Sequence, residues 1–251
     1  MTKTEQERSV KDALLDPSGP ELGDEFLALC GERNRRLVER FSGEEQSERA
    51  EKVRQLHQKE HPLIGVLAIQ GNYASHSQAV IEAGGEPVEV RKPEKLKSLD
   101  GLILPGGEST TMLRFLEKHG FFEALQDFGR NRPVFGTCAG AILLAREVLN
   151  PPQRSLGLLD ATVERNAYGR QIDSAIVTAP TELGGDPLEM VFIRAPRLVQ
   201  TGAGVQVLVR RDGFPVLVRQ GSILAATFHP ELSADRRVHK FFIEMAKSTS
   251  K

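Results

Sequence analysis

Pro133-Val134-Phe135-Gly136-Thr137-Cys138-Ala139-Gly140-Ala141-Ile142-Leu143-Leu144 is the stretch on which the fold turns. An apolar run leads into a turn pinched between two glycines, and a helix-like run to Ala145 follows. Strand, tight turn and helix start in that order describe a nucleophile elbow, with Cys138 where many hydrolases carry serine. The N–H groups of a helix start favour negative charge on the sulfur. Taken alone, Cys138 also suits a small buried cysteine, which is where most free cysteines sit.

The surrounding chain supplies the context. Leu63 to Ile69 is a continuous apolar run, suited to a strand buried on both faces. Tyr73 to Ala83 reads as a helix ended by Gly84-Gly85, and Val88 to Val90 as a short strand. Gly101 to Leu104 is a second buried strand, followed by Pro105-Gly106-Gly107 and a helix from about Ser109. Arg132 to Gly136 then leads into the elbow. Alternating strands and helices predict a parallel sheet covered on both faces. Downstream the chain is richer in strands: Ala161 to Glu164, Ala175 to Thr178, Met190 to Ile193, Gln206 to Val209, Phe214 to Arg219 and Ser222 to Thr227. Asp212-Gly213 reads as a hairpin turn between two of them, and Ala234 to Lys247 as a closing helix. The expected class is therefore α/β with a mixed, mainly parallel sheet.

The chain has 251 residues, 39% hydrophobic and 27% charged, with a formal net charge of -1. That balance gives no sign of a nucleic-acid surface. Two cysteines, Cys30 and Cys138, make no disulfide framework, so a reducing cytoplasm is the expected setting. No apolar run approaches membrane-spanning length, and the start of the chain reads as neither signal nor transit peptide. Composition shifts near His61-Pro62: residues 1–62 hold 25 charged residues and the following 189 hold 42. Residues 1–62 therefore read as a charged helical or flexible extension, and 63–251 as the domain. Within the extension, Glu25 to Phe41 carries a weak apolar face. A second charged helix is expected over Glu44 to Lys59, and Asp16 to Pro20 reads as a turn or joint.

His229-Pro230-Glu231 leaves the apolar strand Ile223 to Phe228. Residues i and i+2 of an extended chain point the same way, so Glu231 can steer His229 while His229 faces the thiol. That is a Cys-His-carboxylate arrangement of nucleophile, proton shuttle and orienting acid. The other histidines, His57, His61, His76, His119 and His239, lie in or beside polar helical stretches and read as solvated. Pro105-Gly106-Gly107-Glu108-Ser109-Thr110 is a further strand-to-helix turn, at the sheet edge where α/β proteins bind ligands. Its glycines allow close backbone approach and can aim N–H groups at an oxyanion. A nucleotide-triphosphate cradle would need a Gly-Lys-Ser/Thr ending, which is missing here.

These segments resemble the glutaminase-subunit family of pyridoxal 5'-phosphate synthases, within the class I, triad-type glutamine amidotransferases. The resemblance rests on Gly65 to Gly71, Leu104 to Met112, Phe135 to Gly140, Glu164 to Gln171, Phe192 to Pro196 and Thr227 to Leu232, in order from about Leu63 onward. Residues 1–62 lie outside the family pattern. The resemblance implies a three-layer, flavodoxin-like domain with Cys138 as nucleophile and His229 and Glu231 completing the triad. It also implies an oxyanion hole from the backbone of Gly106, Gly107 and Ala139. Gly107, Glu108, Ser109, Arg165, Ile193 and Arg194 would bind L-glutamine. An Arg fork suits the substrate carboxylate, although a structural ion pair is the competing role for Arg165 and Arg194. The implied partner is a (β/α)₈-barrel synthase subunit that takes up ammonia, with no metal or cofactor in this chain. A glutaminase subunit for another acceptor, and a non-catalytic binding module on the same fold, remain as alternatives.

Overall fold

Ile64, Val66, Ile103, Phe135, Leu224 and Ala226 belong to one apolar cluster, while Leu67, Leu102, Leu104, Val134, Ile223 and Ala225 belong to another. Neighbouring strand residues thus feed opposite faces, which is the pattern of a sheet buried on both sides. The computed structural model describes residues 61–165, 167 and 174–249. The expected helices at 25–41 and 44–59, the joint at 16–20, Cys30 and His57 lie outside the described residues.

The first half runs β1 (Leu63–Leu67), α1 (Tyr73–Glu82), β2 (Glu86–Val90), β3 (Gly101–Leu104), α2 (Ser109–Lys118), α3 (Phe121–Asn131), β4 (Val134–Thr137) and α4 (Ala139–Leu144). The second half runs β5 (Ala145–Leu149), β6 (Leu159–Glu164), β7 (Ser174–Ala179), β8 (Leu188–Ile193), β9 (Arg197–Thr201), β10 (Gln206–Arg211), β11 (Phe214–Gln220), β12 (Ile223–Ala226) and α5 (Arg237–Thr249). Seven strands form the main sheet in the order β10-β11-β12-β4-β3-β1-β2. β2, β1, β3, β4 and β12 are parallel, and β11 and β10 are antiparallel at one edge. The expected mixed, mainly parallel sheet is what the chain forms. Some later strands leave it, however: β5-β6-β9 make a three-stranded sheet and β7-β8 a two-stranded ribbon.

α2, α3 and α4 cover one face, with Met112, Leu116, Phe121, Phe122, Leu125 and Leu143. α1 and α5, together with β8, cover the other, with Val80, Phe242, Ile243, Met190 and Phe192. Each fully buried Leu, Ile or Phe contributes about 1.5–3 kcal/mol relative to exposure. The Asp212-Gly213 turn joins β10 to β11 as read, and both residues have positive φ, 50° and 80°. Asn-Gly- and Asp-Gly-type turns favour that pair of angles because their twist matches the strands.

Candidate active site

β4 and β12 are adjacent and parallel, with Thr137 opposite Ala226, so their carboxyl ends deliver Cys138 and His229 to one place. Cys138 caps the start of α4 at φ 48° and ψ -103°. Such a backbone costs about 1–3 kcal/mol for a non-glycine residue. It is held by hydrogen bonds from Cys138 N to Ala226 O at 2.9 Å and from Ile142 N to Cys138 O at 3.2 Å. The flanking glycines are required by space. A Cβ on Gly140 would overlap the Leu104 carbonyl of β3, and one on Gly136 would sit 2.6 Å from Gly140. The elbow is therefore clamped between neighbouring strands, with Cys138 only 8% exposed.

His229 donates from Nδ1 to Glu231 Oε1 at 2.8 Å. The contact was expected from an extended chain, but Pro230–Leu232 is a single 3₁₀ turn. The tighter turn brings the carboxylate to Nδ1 and reaches the same pairing by a different route. With Nδ1 engaged, Nε2 is the ring nitrogen left for Cys138, which lies close enough to the ring to raise its pKa. Burial alone would lower the His229 pKa, but Cys138 and the bond to Glu231 outweigh it and raise it to about 10. Burial would likewise raise the pKa of Glu231, yet His76, which is protonated only at the acid pH where this carboxyl titrates, and the bond from His229 hold it at about 2. An imidazolium between a sulfur and a carboxylate is the arrangement these shifts describe.

Gly106 is packed onto this group. A Cβ there would meet His229 Cε1 at 2.5 Å and Cys138 Cβ at 3.5 Å. Gly107 has φ 148° and is exposed, and Ala139 is the buried first residue of α4. Gln70 and Gly71, which the sequence reading did not single out as site residues, back the glycine loop. Gly71 has φ 77° and its Cα lies against the Gly106 carbonyl, while Gln70 Nε2 donates to Glu108 O at 2.7 Å.

The other expected glutamine-binding residues are placed as follows. Glu108 caps α2, accepting from Thr110 N at 3.1 Å and Thr111 N at 2.6 Å. Those bonds overcome the upward push of partial burial and hold its pKa at about 2. Arg165 donates to Thr110 Oγ1 at 2.9 Å and lies 3.5 Å from Glu108 Oε1, so it pairs with the same loop. Ser109 is buried and donates to Gln153 Oε1 at 3.1 Å. Ile193 ends β8, and exposed Arg194 follows at φ 45°. The same strand receives the His229 N–H at Val191 O, 2.8 Å away. Within Glu164–Gln171, positions 166 and 168–171 lie outside the described residues.

Two histidines expected to be solvated are not. His76 and His239 are both 0% exposed. Each occupies an apolar helix face, His76 with Ala79 and Val80, and His239 with Phe242, Ile243 and Ala246. The polar residues around them lie on the opposite faces, which is why the local sequence misleads. His119, exposed at the end of α2, is solvated as read. His61 is half-buried and bonds Gly84 O at 3.1 Å. Among the described residues no cluster of His, Cys, Asp and Glu is arranged to hold a metal ion.

The parallel sheet with helices on both faces, and a cysteine elbow beside a histidine, define the fold of the class I glutamine amidotransferases. The chain belongs to the SNO glutamine amidotransferase family, whose pattern matches residues 66–248. It is 56% identical over 185 residues to pyridoxal 5'-phosphate synthase subunit PdxT of Koribacter versatilis, covering 74% of this chain and 96% of that one. The same subunit of Thermotoga maritima is 52% identical over 187 residues, covering 73% and 99%. A solved structure described as a glutamine amidotransferase superposes with TM-score 0.69 at 46% identity, covering 73% of this chain and 98% of the other.

Proposed function

We propose that this chain is the glutaminase subunit of a pyridoxal 5'-phosphate synthase, hydrolysing L-glutamine to L-glutamate and ammonia. The observation that carries the chemistry is the buried line of Cys138, His229 and Glu231, with the Gly106 backbone packed against it. The names of the relatives carry the choice of pathway.

The Cys138 sulfur attacks the side-chain carboxamide carbon of glutamine. Backbone N–H groups near Gly106, Gly107 and Ala139 receive the oxyanion. His229, held as imidazolium by Glu231, gives its proton to the departing ammonia and leaves a thioester on Cys138. Neutral His229 then takes a proton from water, which attacks the thioester, and glutamate leaves with the sulfur restored. Glu108, Ser109, Arg165, Ile193 and Arg194 surround the substrate's amino-acid end. Ammonia released into water becomes ammonium, a poor nucleophile, so a docked (β/α)₈-barrel synthase subunit in the cytoplasm is the fitting recipient.

Glutamate release measured with and without the synthase subunit tests this reading. Hydrolysis is expected to rise strongly on docking, because the Gly106-Gly107 peptide has the freedom to be reoriented by a partner. A chain that never releases glutamate, alone or with the synthase, overturns it.

A further inference from the structure

Glu231 has two oxygens, and only Oε1 serves His229. Oε2 is buried and makes no hydrogen bond among the described residues, and His76 Nε2 lies 3.3 Å from it. His76 Nε2 also lies 3.1 Å from Thr137 Oγ1, on the residue preceding the cysteine. On the far side, His76 Nδ1 is 3.1 Å from His239 Nε2. A continuous line of side chains therefore runs from Cys138 through His229, Glu231 and His76 to His239, and spans β4, the turn after β12, α1 and α5.

We propose that His76 is a positioning residue for glutamine hydrolysis: its neutral imidazole, protonated on Nε2, fixes the Glu231 carboxylate, and through it His229.

The partners decide where the protons sit. A bare lone pair on His76 Nε2 would face a carboxylate oxygen, whereas an N–H there is attracted by both Glu231 Oε2 and Thr137 Oγ1. Nδ1 is then an acceptor, so His239 must donate from Nε2. That leaves His239 Nδ1 as a lone pair, and this atom is indeed buried without a partner. The opposite arrangement would bury an unpaired N–H at His239 and oppose a lone pair to a carboxylate, which is the costlier choice. Neutrality follows from the surroundings. Burial drives the His76 pKa down to about 4 against the pull of Glu231, with His229 adding to the lowering. His239 is lowered well below its usual value, by burial first and then by His76 and Arg236, against Glu231. The groups facing His76 are thus Glu231 and His229 from the turn after β12, and Thr137 from the end of β4. Asn72 at the start of α1 and His239 from α5 complete its surroundings. Phe135 packs edge-on against both rings, at 6.3 Å and 5.9 Å between centroids.

The role has a chemical consequence. Glu231 must stay charged and stationary for His229 to be an imidazolium aimed at the leaving nitrogen. A carboxylate bonded at Oε1 by His229 and faced at Oε2 by the His76 N–H 3.3 Å away is restrained from swinging, and a misplacement of about 1 Å at the proton donor can cost on the order of 100-fold. The inference rests on the glutaminase reading and deepens it.

The full chain assayed with the synthase subunit tests it through His76→Leu and His76→Gln. His76→Leu is expected to lower kcat by roughly 10- to 100-fold, with KM for glutamine within about twofold. Its alkaline limb should move to lower pH, because a loosened Glu231 holds the His229 proton less tightly. The Gln side-chain amide can supply the missing N–H, so His76→Gln should recover most of both changes. Wild-type kcat and pH profile in His76→Leu would overturn the proposal. So would a loss of activity with an unmoved profile that Gln does not rescue, since that marks packing alone. Should His76→Leu fail to fold, ¹⁵N spectra of the wild-type ring decide. A neutral ring with its proton on Nε2 across pH 6–8 supports the assignment, and a proton on Nδ1 or an imidazolium overturns it. Those spectra do not depend on turnover. A wild type without glutaminase activity would therefore strike the functional reading and leave the proton arrangement separately decided.

Discussion

Cys138 occupies a strained backbone position that the surrounding strands hold in place, so its side chain can be cut back without dismantling the elbow. Cys138→Ala is expected to abolish glutamine hydrolysis while the melting temperature stays close to wild type; substantial turnover in that variant would end the thiol mechanism. In the proposed mechanism His229 moves the proton, whereas Glu231 orients the ring and stabilises its charge, so Glu231→Gln should lose less activity than His229→Asn. Equal and negligible losses in kcat would remove the histidine and the carboxylate from the mechanism even if Cys138 proved essential. Both members of that pair were legible in the sequence, because a histidine leaving an apolar strand and an acid two residues later form a local pattern. His76 and His239 were not. A histidine on an apolar stripe declares itself only when the helix is seen against its partner, although the i, i+3, i+4 spacing of His76 to Ala79 and Val80 was there to be read.

At the level of elements, the glycines of the elbow carry the packing of α4 against β3 and β4. A methyl group on Gly140 has to displace the Leu104 carbonyl, which belongs to a central strand. Overpacking of this kind costs about 1–3 kcal/mol or more, so Gly140→Ala should lower the denaturation midpoint measurably, and an unchanged midpoint would mean that the elbow is looser than the geometry says. The buried histidines tie α1 and α5 to the site and give the fold a pH signature. His76 has a folded pKa of about 4, below that of an unfolded chain. Between pH 6.5 and 5 the unfolded chain therefore binds more protons, and stability falls with falling pH by about 1.4 kcal/mol per unit for each such histidine. His229 has the opposite sign: its pKa of about 10 gives stability that is full below about 6.5 and is lost as pH rises through 10. Urea midpoints at pH 5, 6.5 and 8 are expected to peak near 6.5, and His76→Gln should flatten the acid side. A wild-type midpoint as high at pH 5 as at 6.5 would contradict the buried neutral pair. β5 and β9 escaped the sequence reading because each mixes buried and exposed positions without alternation. α3 was legible in principle, since Phe121, Phe122, Leu125 and Phe128 share one face, but its polar residues blurred into the helix before it. The strands of the main sheet were read with small errors in their ends, because a strand buried on both faces is an uninterrupted apolar run and few other elements produce one.

For the whole molecule, the composition break near His61-Pro62 and the start of the family match at Val66 fall within a few residues of each other. The β1 strand that opens the described domain is secured from within it. Leu63 N donates to Asp100 Oδ2 at 2.8 Å, Leu63–Leu67 pairs with both β2 and β3, and His61 bonds Gly84 O. The proposed triad, oxyanion and glutamine-binding residues lie between Gly106 and Glu231, and His76 behind them also falls beyond residue 62. We therefore propose residues 1–62 as an appendage rather than part of the core, with the charge density of a segment that cannot bury a large apolar face. A rival role is a clamp on the synthase, since Phe26, Leu37 and Phe41 have the spacing to seat a helix in a groove. A chain beginning near Glu60 is expected to fold with a melting temperature close to that of the full chain. It should also pair with the synthase and hydrolyse glutamine at near-normal rates. If it folds and turns over but pairs weakly, the clamp is the right reading. If it is insoluble, the appendage is structural, and the boundary of the domain moves to the start of the chain.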